Sequence, residues 1–304
     1  MDKIIDNDEN FLIKKEIKNW EKIKRREKIA NNSEGIHSVG IDSNKYKLKI
    51  CFISTLIGDE NCNLDKVGNL INHKSVPYDF FLFTNIKSLK NDTWRVINIK
   101  DEFLNFKCKI NDVSNRKMSI YKSRYIKFMG WEYLKNVMGK EYDVIFYCDA
   151  IYSPNLSFDW QEIAKKILNS ESGILQKMHP NKHSLSTEIR AIVGARKDTN
   201  KNMDEMKKYI KSLEIPADDI KITENTTFGY NPKNTKIINA FTDFWNNYIN
   251  LKISYRDQPL WASTKYKLNI NPIIENNLHK CLDRNSKFLF RYNGVTFSHA
   301  RKYV

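Results

Sequence analysis

The chain is 304 residues long, 41% hydrophobic and 12% aromatic, which supplies enough apolar side chain for a core and excludes a wholly disordered chain. Its 51 Lys and Arg against 36 Asp and Glu leave a net charge of +15. That charge points to an anionic partner (nucleic acid, a membrane surface or a phosphorylated small molecule) or to a plain bias toward Lys, Asn and Ile.

Residues 1–46 read differently from the rest. The opening MDKIIDNDEN lacks the apolar stretch of a secretory signal, and no run in the chain nears the ~18–20 apolar residues that span a bilayer, so a soluble cytoplasmic protein is expected. From Phe11 to Ala30 there are eight basic and three acidic residues, with Ile13, Ile17, Trp20 and Ile23 on one helical stripe. This predicts a basic amphipathic helix, able to touch a membrane surface or nucleic acid, or to pack on the body with a solvated lysine face. Asn31–Lys47 reads as a linker. The domain boundaries expected are therefore 1–46 for an N-terminal extension and 47–304 for the main domain.

The main domain alternates strands with helices. LKICFISTLIG (Leu48–Gly58) suits a buried first strand, followed by strands at DFFLFTN (Asp79–Asn85) and WRVINIK (Trp94–Lys100). Asn115–Gly139 predicts a long helix with Met118, Tyr121, Tyr125, Phe128 and Trp131 inward. YDVIFYCDA (Tyr142–Ala150) and GILQKMHP (Gly173–Pro180) predict further strands. Helices are expected from about Leu185, over Met203–Leu213, over Ile237–Asn250 and from Asp257. This pattern implies a three-layer αβα sandwich with a mostly parallel central sheet. The five cysteines (51, 62, 108, 148 and 281) are scattered with no CxxC, which supports neither a disulfide framework nor a zinc ribbon and favours reduced core thiols.

In such a sheet a ligand lies beyond the carboxyl ends of the strands, which points to Thr55, to Thr84 and Asn85, and to Asp149. Asp149 ends the very apolar VIFYCDA, where a carboxylate needs a cation, a donor or a metal, or caps a loop. Neither GxGxxG nor GxxxxGK[ST] occurs, which disfavours a dinucleotide enzyme and a P-loop NTPase. Phosphates would then fall to basic residues of the long helix: Arg116, Lys117, Lys122, Arg124 and Lys127, of which at most two or three share a face. Tyr255-Arg256-Asp257-Gln258 precedes PLWAS, so Asp257 is either the N-cap of the last helix or a carboxylate aimed at a hydroxyl, with Gln258 beside it. His179 follows a strand and His299 lies in FSHARKYV near the end; each is structural or a site residue.

These pieces occur in an order that resembles the GT-A-type glycosyltransferases, and among them the DUF616 glycosyltransferase-like family. The matching stretches are KICFISTLIGD (Lys49–Asp59), FFLFTN (Phe80–Asn85), WRVINI (Trp94–Ile99) and RKMSIYKSRYIKF (Arg116–Phe128). They continue with YDVIFYCDAIYSP (Tyr142–Pro154), KMHPNKHSLSTEIRAIV (Lys177–Val193) and FWNNYINLKISYRDQPLW (Phe244–Trp261). The resemblance implies a GT-A-like fold and transfer of a sugar from a nucleotide-diphosphate sugar, a UDP-sugar favoured, to a hydroxyl of a glycan or protein acceptor. It implies nucleotide-sugar binding by Thr55, Thr84, Asn85, Lys117, Lys122, Arg124 and Asp149, with His179 and Glu188 bordering the sugar or acceptor. Asp257 and Gln258 become the expected catalytic pair. Asp149 is followed by Ala150 and Ile151, so the Asp-x-Asp motif is incomplete. The expected cofactor is a divalent metal, Mn²⁺ or Mg²⁺, on Asp149 and His299; without it basic residues must neutralise the diphosphate. A nucleotide-sugar-binding relative with weakened catalysis and a basic nucleic-acid-binding protein are the alternatives.

Overall fold

Runs of buried aromatic and β-branched residues make the central strands, and polar residues that cap or turn the chain set their ends. The structure, a computed structural model, describes residues 47–58, 67, 70, 73–99, 115–180, 184–251, 253–284, 289–292 and 295–298. The basic helix expected over Phe11–Ala30 and its linker lie outside the described residues. The strands are β1 (Ile50–Leu56), β2 (Asp79–Thr84), β3 (Arg95–Asn98), β4 (Val144–Cys148), β5 (Tyr152–Pro154), β6 (Ile174–Met178), β7 (Thr223–Tyr230), β8 (Ile273–Ile274), β9 (Leu282–Arg284), β10 (Leu289–Tyr292) and β11 (Val295–Ser298). The helices are α1 (Asn115–Asn136), α2 (Trp160–Leu168), α3 (Leu185–Gly194), α4 (Asn200–Ser212), α5 (Thr235–Leu251) and α6 (Asp257–Lys267).

Seven of these strands form one sheet in the order β3-β2-β1-β4-β7-β6-β8. Every pairing in it is parallel except those of β7, which runs antiparallel to both β4 and β6. β5 pairs with β9 and β10 with β11, each antiparallel. The expected mostly parallel sheet is therefore present, with one reversed strand that the sequence pattern does not announce. β1 and β4 are buried at every position, as strands covered on both faces must be.

Helices cover both faces. On one, Phe52 of β1 stacks on Phe146 of β4 at 5.2 Å, and Trp160 of α2 meets both rings edge-on at 4.8 Å. Asp159 starts α2 by accepting from the Glu162 N–H at 3.1 Å. On the other face Phe128 of α1 packs on Phe244 of α5 at 4.1 Å, on Trp261 of α6 at 5.4 Å and on Phe228 of β7 at 5.7 Å. Tyr121, Tyr125 and Phe128 are buried as expected, and Trp131 is half-buried. Cys51 and Cys148 are buried free thiols.

The end of α1 and the turn after it, Glu132–Glu141, belong to the smaller of two compact units. Within it Gly139 takes a left-handed φ of 62°, and Lys135 pairs with Glu141 at 3.9 Å on the surface. No helix among the described residues is long and apolar enough to cross a membrane.

Candidate functional site

Three elements bring charge to the carboxyl end of β4. Asp149 follows β4 directly, two residues beyond Tyr147, so both side chains leave on one face of the sheet. α1 meets them with Arg124 and Lys127, which share a helix face through their spacing of three. α6 brings Asp257. Lys127 Nζ lies 3.5 Å from Asp149 Oδ1 and 3.2 Å from Asp257 Oδ2, so one ammonium joins the two carboxylates. Arg124 Nε stands 3.2 Å from Asp257 Oδ1, an ion pair whose N–H is not aimed at the oxygen. Asn225 of β7 donates to Asp257 Oδ2 at 3.3 Å, and the Tyr147 hydroxyl donates to Asp149 Oδ1 at 2.8 Å. Lys127 Nζ also sits 5.0 Å from the centre of the Tyr147 ring.

The two carboxylates differ in their access to water. The Asp257 side chain is 5% exposed and that of Asp149 31%. Burial alone would push the Asp257 carboxyl up; Arg124, Lys127 and Arg256 outweigh it and hold the group well below the usual carboxylate range. Burial, and then the neighbouring Asp149, push the Tyr147 phenol well above its usual value, so it remains a donor. Asp149 Oδ2 takes no hydrogen bond or ion pair among the described residues.

The other expected residues fall into three groups. Thr55 shares the Asp149 end: the β1–β4 ladder closes at Ile53↔Tyr147, and Thr55 and Asp149 each follow by two residues on the same face. The Thr55 hydroxyl is buried and has no hydrogen-bond partner among the described residues, an unusual state for a polar atom. Thr84 and Asn85 serve the turn itself: Thr84 Oγ1 accepts from the Ile86 N–H at 3.0 Å. Asn85 brackets Gly58, accepting from its N–H at 3.0 Å and donating to its C=O at 2.8 Å. His179 follows β6 half-buried and bonds the Ile222 carbonyl through its backbone N–H at 3.1 Å. Glu188 is buried in α3 and acts on Lys197, as Arg256 does with opposite sign. Lys122 is half-buried on α1. The Lys117 side chain and the whole of His299 lie outside the described residues.

One expectation for α6 changes. Arg256, not Asp257, takes the N-cap position, and no side chain caps the helix. Asp257 is the first helical residue, and its carboxylate is drawn to Arg124 and Lys127 while also accepting from its own backbone N–H. Gln258 turns its amide to β7 and donates to the Thr223 carbonyl at 3.0 Å.

Among the described residues no group of three or more His, Cys, Asp and Glu is placed to hold a metal ion. The set at β4 is one accessible carboxylate with an ammonium already on it, which does not by itself suit a divalent cation. The residues that reading the sequence passes over are Lys127 as the bridge, and Gln176, Thr223, Asn225 and Lys265 behind Asp257. A signal for Lys127 exists: a lysine inside the apolar run Tyr125-Ile126-Lys127-Phe128-Met129, three residues after Arg124, is drawn inward with its neighbours.

No protein-family model matches the chain, and no curated protein matches it by sequence. Among solved structures it is similar to the galactosyltransferase LgtC in complex with donor and acceptor sugar analogues, at 12% identity and a TM-score of 0.36 over 70% of this chain and 69% of that one. It is also similar to apo mouse xyloside xylosyltransferase 1, at 9% identity and a TM-score of 0.38 over 75% of this chain and 79% of that one.

Proposed function

We propose that the chain is a GT-A-type glycosyltransferase of the DUF616-like group, which moves a sugar from a nucleotide-diphosphate sugar, a UDP-sugar first, to a hydroxyl of a glycan or protein. The observation that carries this reading is the meeting of Asp149 and Asp257, 108 residues apart in the chain, on the single ammonium of Lys127 at the carboxyl end of β4. In transfer the bond from the anomeric carbon to the diphosphate oxygen breaks, one to the acceptor oxygen forms, and the proton of the acceptor hydroxyl passes to the departing diphosphate. Negative charge gathers on the departing nucleoside diphosphate, and fixed cations that face it lower the barrier. Arg124 and Lys127 are such cations, held in place by Asp257. Asp149 Oδ2 is the acceptor for a sugar hydroxyl, and the unpartnered Thr55 hydroxyl is a second contact for the donor. Asp257 acts through the cations that it holds, because a carboxyl kept so far below its usual range is a poor proton acceptor.

The test is release of nucleoside diphosphate from a panel of nucleotide sugars, with and without Mn²⁺ and Mg²⁺. Turnover is expected with a UDP-sugar, and Asp149→Ala should lower it by about a hundredfold or more with the fold intact. Wild-type turnover by Asp149→Ala removes the proposed role of this carboxylate. A second reading, a nucleotide-sugar-binding relative without turnover, is favoured by the engagement of both Asp257 oxygens. A rise in melting temperature with UDP, without hydrolysis or transfer of any donor, would select it.

A further inference from the structure

Behind Asp257 a buried polar chain runs away from Lys127 and ends at an amine, Lys265. This lysine belongs to α6 and is 7% exposed. Its Nζ donates to Thr223 Oγ1 at 2.6 Å and to Gln176 Oε1 at 3.2 Å. Gln176 Oε1 also accepts from the Thr223 hydroxyl at 3.0 Å and from Trp261 Nε1 at 3.3 Å. Gln176 Nε2 donates to Asn225 Oδ1 at 3.2 Å, and Asn225 Nδ2 donates to Asp257 Oδ2 at 3.3 Å. The far end of this chain is thus the very oxygen that faces Lys127.

The chain has one direction. The donors gathered around Lys265 require the oxygen of the Gln176 amide on their side, which turns its NH₂ toward Asn225. That in turn puts the Asn225 oxygen toward Gln176 and its NH₂ toward the carboxylate. Reversing either amide would set donor against donor or acceptor against acceptor in a site closed to water.

The Lys265 site suits an uncharged amine. Two acceptors face it, matching two N–H groups, and both are neutral. No carboxylate stands within ion-pair distance of Nζ among the described residues. β6 and β7 present Gln176 and Thr223, and α6 presents Trp261. Acidic groups on the elements packed around α6 are engaged elsewhere: Glu224 of β7 with Lys177 at 3.1 Å, Asp243 of α5 with Lys267 at 3.3 Å, and Asp204 and Glu205 of α4 with Lys207 and Lys208 at 2.9 and 2.8 Å. Glu188 of α3 acts on Lys197. Burial, with no opposing charge, brings the Lys265 amine down to about 7.

We propose that Lys265 is a positioning residue of the site: as an uncharged amine it sets the direction of the Gln176–Asn225 amide chain and so holds Asp257 against Lys127. Protonation adds a third N–H with no acceptor and a charge with no partner, and it loosens the anchored end of the chain. The amide geometry is independent of what the site turns over; only the rate readout rests on the glycosyl-transfer reading.

The experiment has two arms. In the first, nucleoside diphosphate release from a UDP-sugar is followed from pH 6 to 9. The wild-type kcat should rise through a midpoint near 7 with KM unchanged, and Lys265→Met should abolish that rise. Lys265→Arg, charged throughout, should stay about tenfold or more below wild type at every pH. A rise that persists unaltered in Lys265→Met overturns the proposal. In the second arm the side-chain amide ¹⁵N and ¹H shifts of Gln176 and Asn225 are titrated in the full chain. They should move together with a midpoint near 7 in wild type and stay fixed in Lys265→Met. Amides that do not titrate in wild type overturn the proposal whatever the turnover. Amides that titrate in a chain inactive on every donor support it and remove only the transferase reading.

Discussion

Lys127 holds its place through charges that water hardly reaches: its side chain is 3% exposed, between Asp257 at 5% and Arg124 at 16%. Taking these ions from water is costly, and the arrangement stands because each supplies the other's counter-charge. Removing one partner should therefore cost more than removing two. Lys127→Met takes from Asp257 one of its cations, leaving Arg124, Arg256 and the Asn225 amide, and is expected to lower the unfolding free energy by about 3–5 kcal/mol in urea. Lys127→Met combined with Asp257→Asn should lose less than the sum of the two single changes, as coupled neighbours do. Strict additivity would show that the contact contributes nothing. The same pair has a pH signature. The Asp257 carboxyl is held down in the folded chain, so its contribution is full above the ordinary carboxylate pKa near 3.8 and fades as pH falls below it. Asp257→Asn removes that acid dependence.

At the scale of elements, the legible parts are those whose burial is written as an apolar run. β1, β2 and β4 stand out because buried, mostly apolar residues fill them, aromatic and β-branched ones foremost. α1 stands out through its aromatic spacing. β7 escapes the same logic because TENTTFGY begins with polar residues that point into the protein rather than out of it. Its Thr223, Asn225 and Thr227 are nearly sealed from water, and the hydrogen-bond partners that make this tolerable come from β4, β6 and α6. Such partners are distant in sequence and leave no local pattern. The pairing with β6 is irregular too: between Gln176↔Phe228 and Met178↔Thr223, β7 advances five residues against two. That bulge re-aims Thr223 and Asn225 toward Gln176 and Asp257, and no propensity foretells it. Lys127 and Asp257 were within reach of the sequence as residues, but not the fact that they neutralise each other. One position of β7 is testable alone. A methyl group on Gly229 would fall 2.4 Å from the Phe146 ring and 2.7 Å from Ile167, both buried on the α2 face. Gly229→Ala should therefore lower the unfolding free energy by about 1–3 kcal/mol, measured in urea, with no change in fold. A neutral substitution would mean that the strand stands further from α2.

For the whole molecule, these buried groups act together through proton linkage. Lys265 departs from the common case, because burial lowers its pKa from 10.5 to about 7 with no partner to restore it. The unfolded chain therefore binds a proton that the folded chain lacks between about pH 7 and 10.5, and stability rises with pH across that window. Below pH 7 both states carry the proton and the cost of burying the charge is present in full, on the order of 5 kcal/mol. Tyr147, Tyr230 and Tyr248 set the alkaline limit. Burial raises each well above 10.0, so the unfolded chain loses protons that the folded one keeps, and stability falls once pH passes 10. The melting temperature should accordingly peak on the alkaline side, between about pH 8 and 10, above the range where small domains are usually most stable. The decisive comparison is with Lys265→Met, in which every other titration is shared. The variant should exceed wild type in unfolding free energy at pH 6, and the gap should close steadily as pH approaches 10. A gap that stays constant from pH 6 to 10 would mean that the amine titrates alike in both states, and that Lys265 is open to water rather than sealed between Gln176 and Thr223.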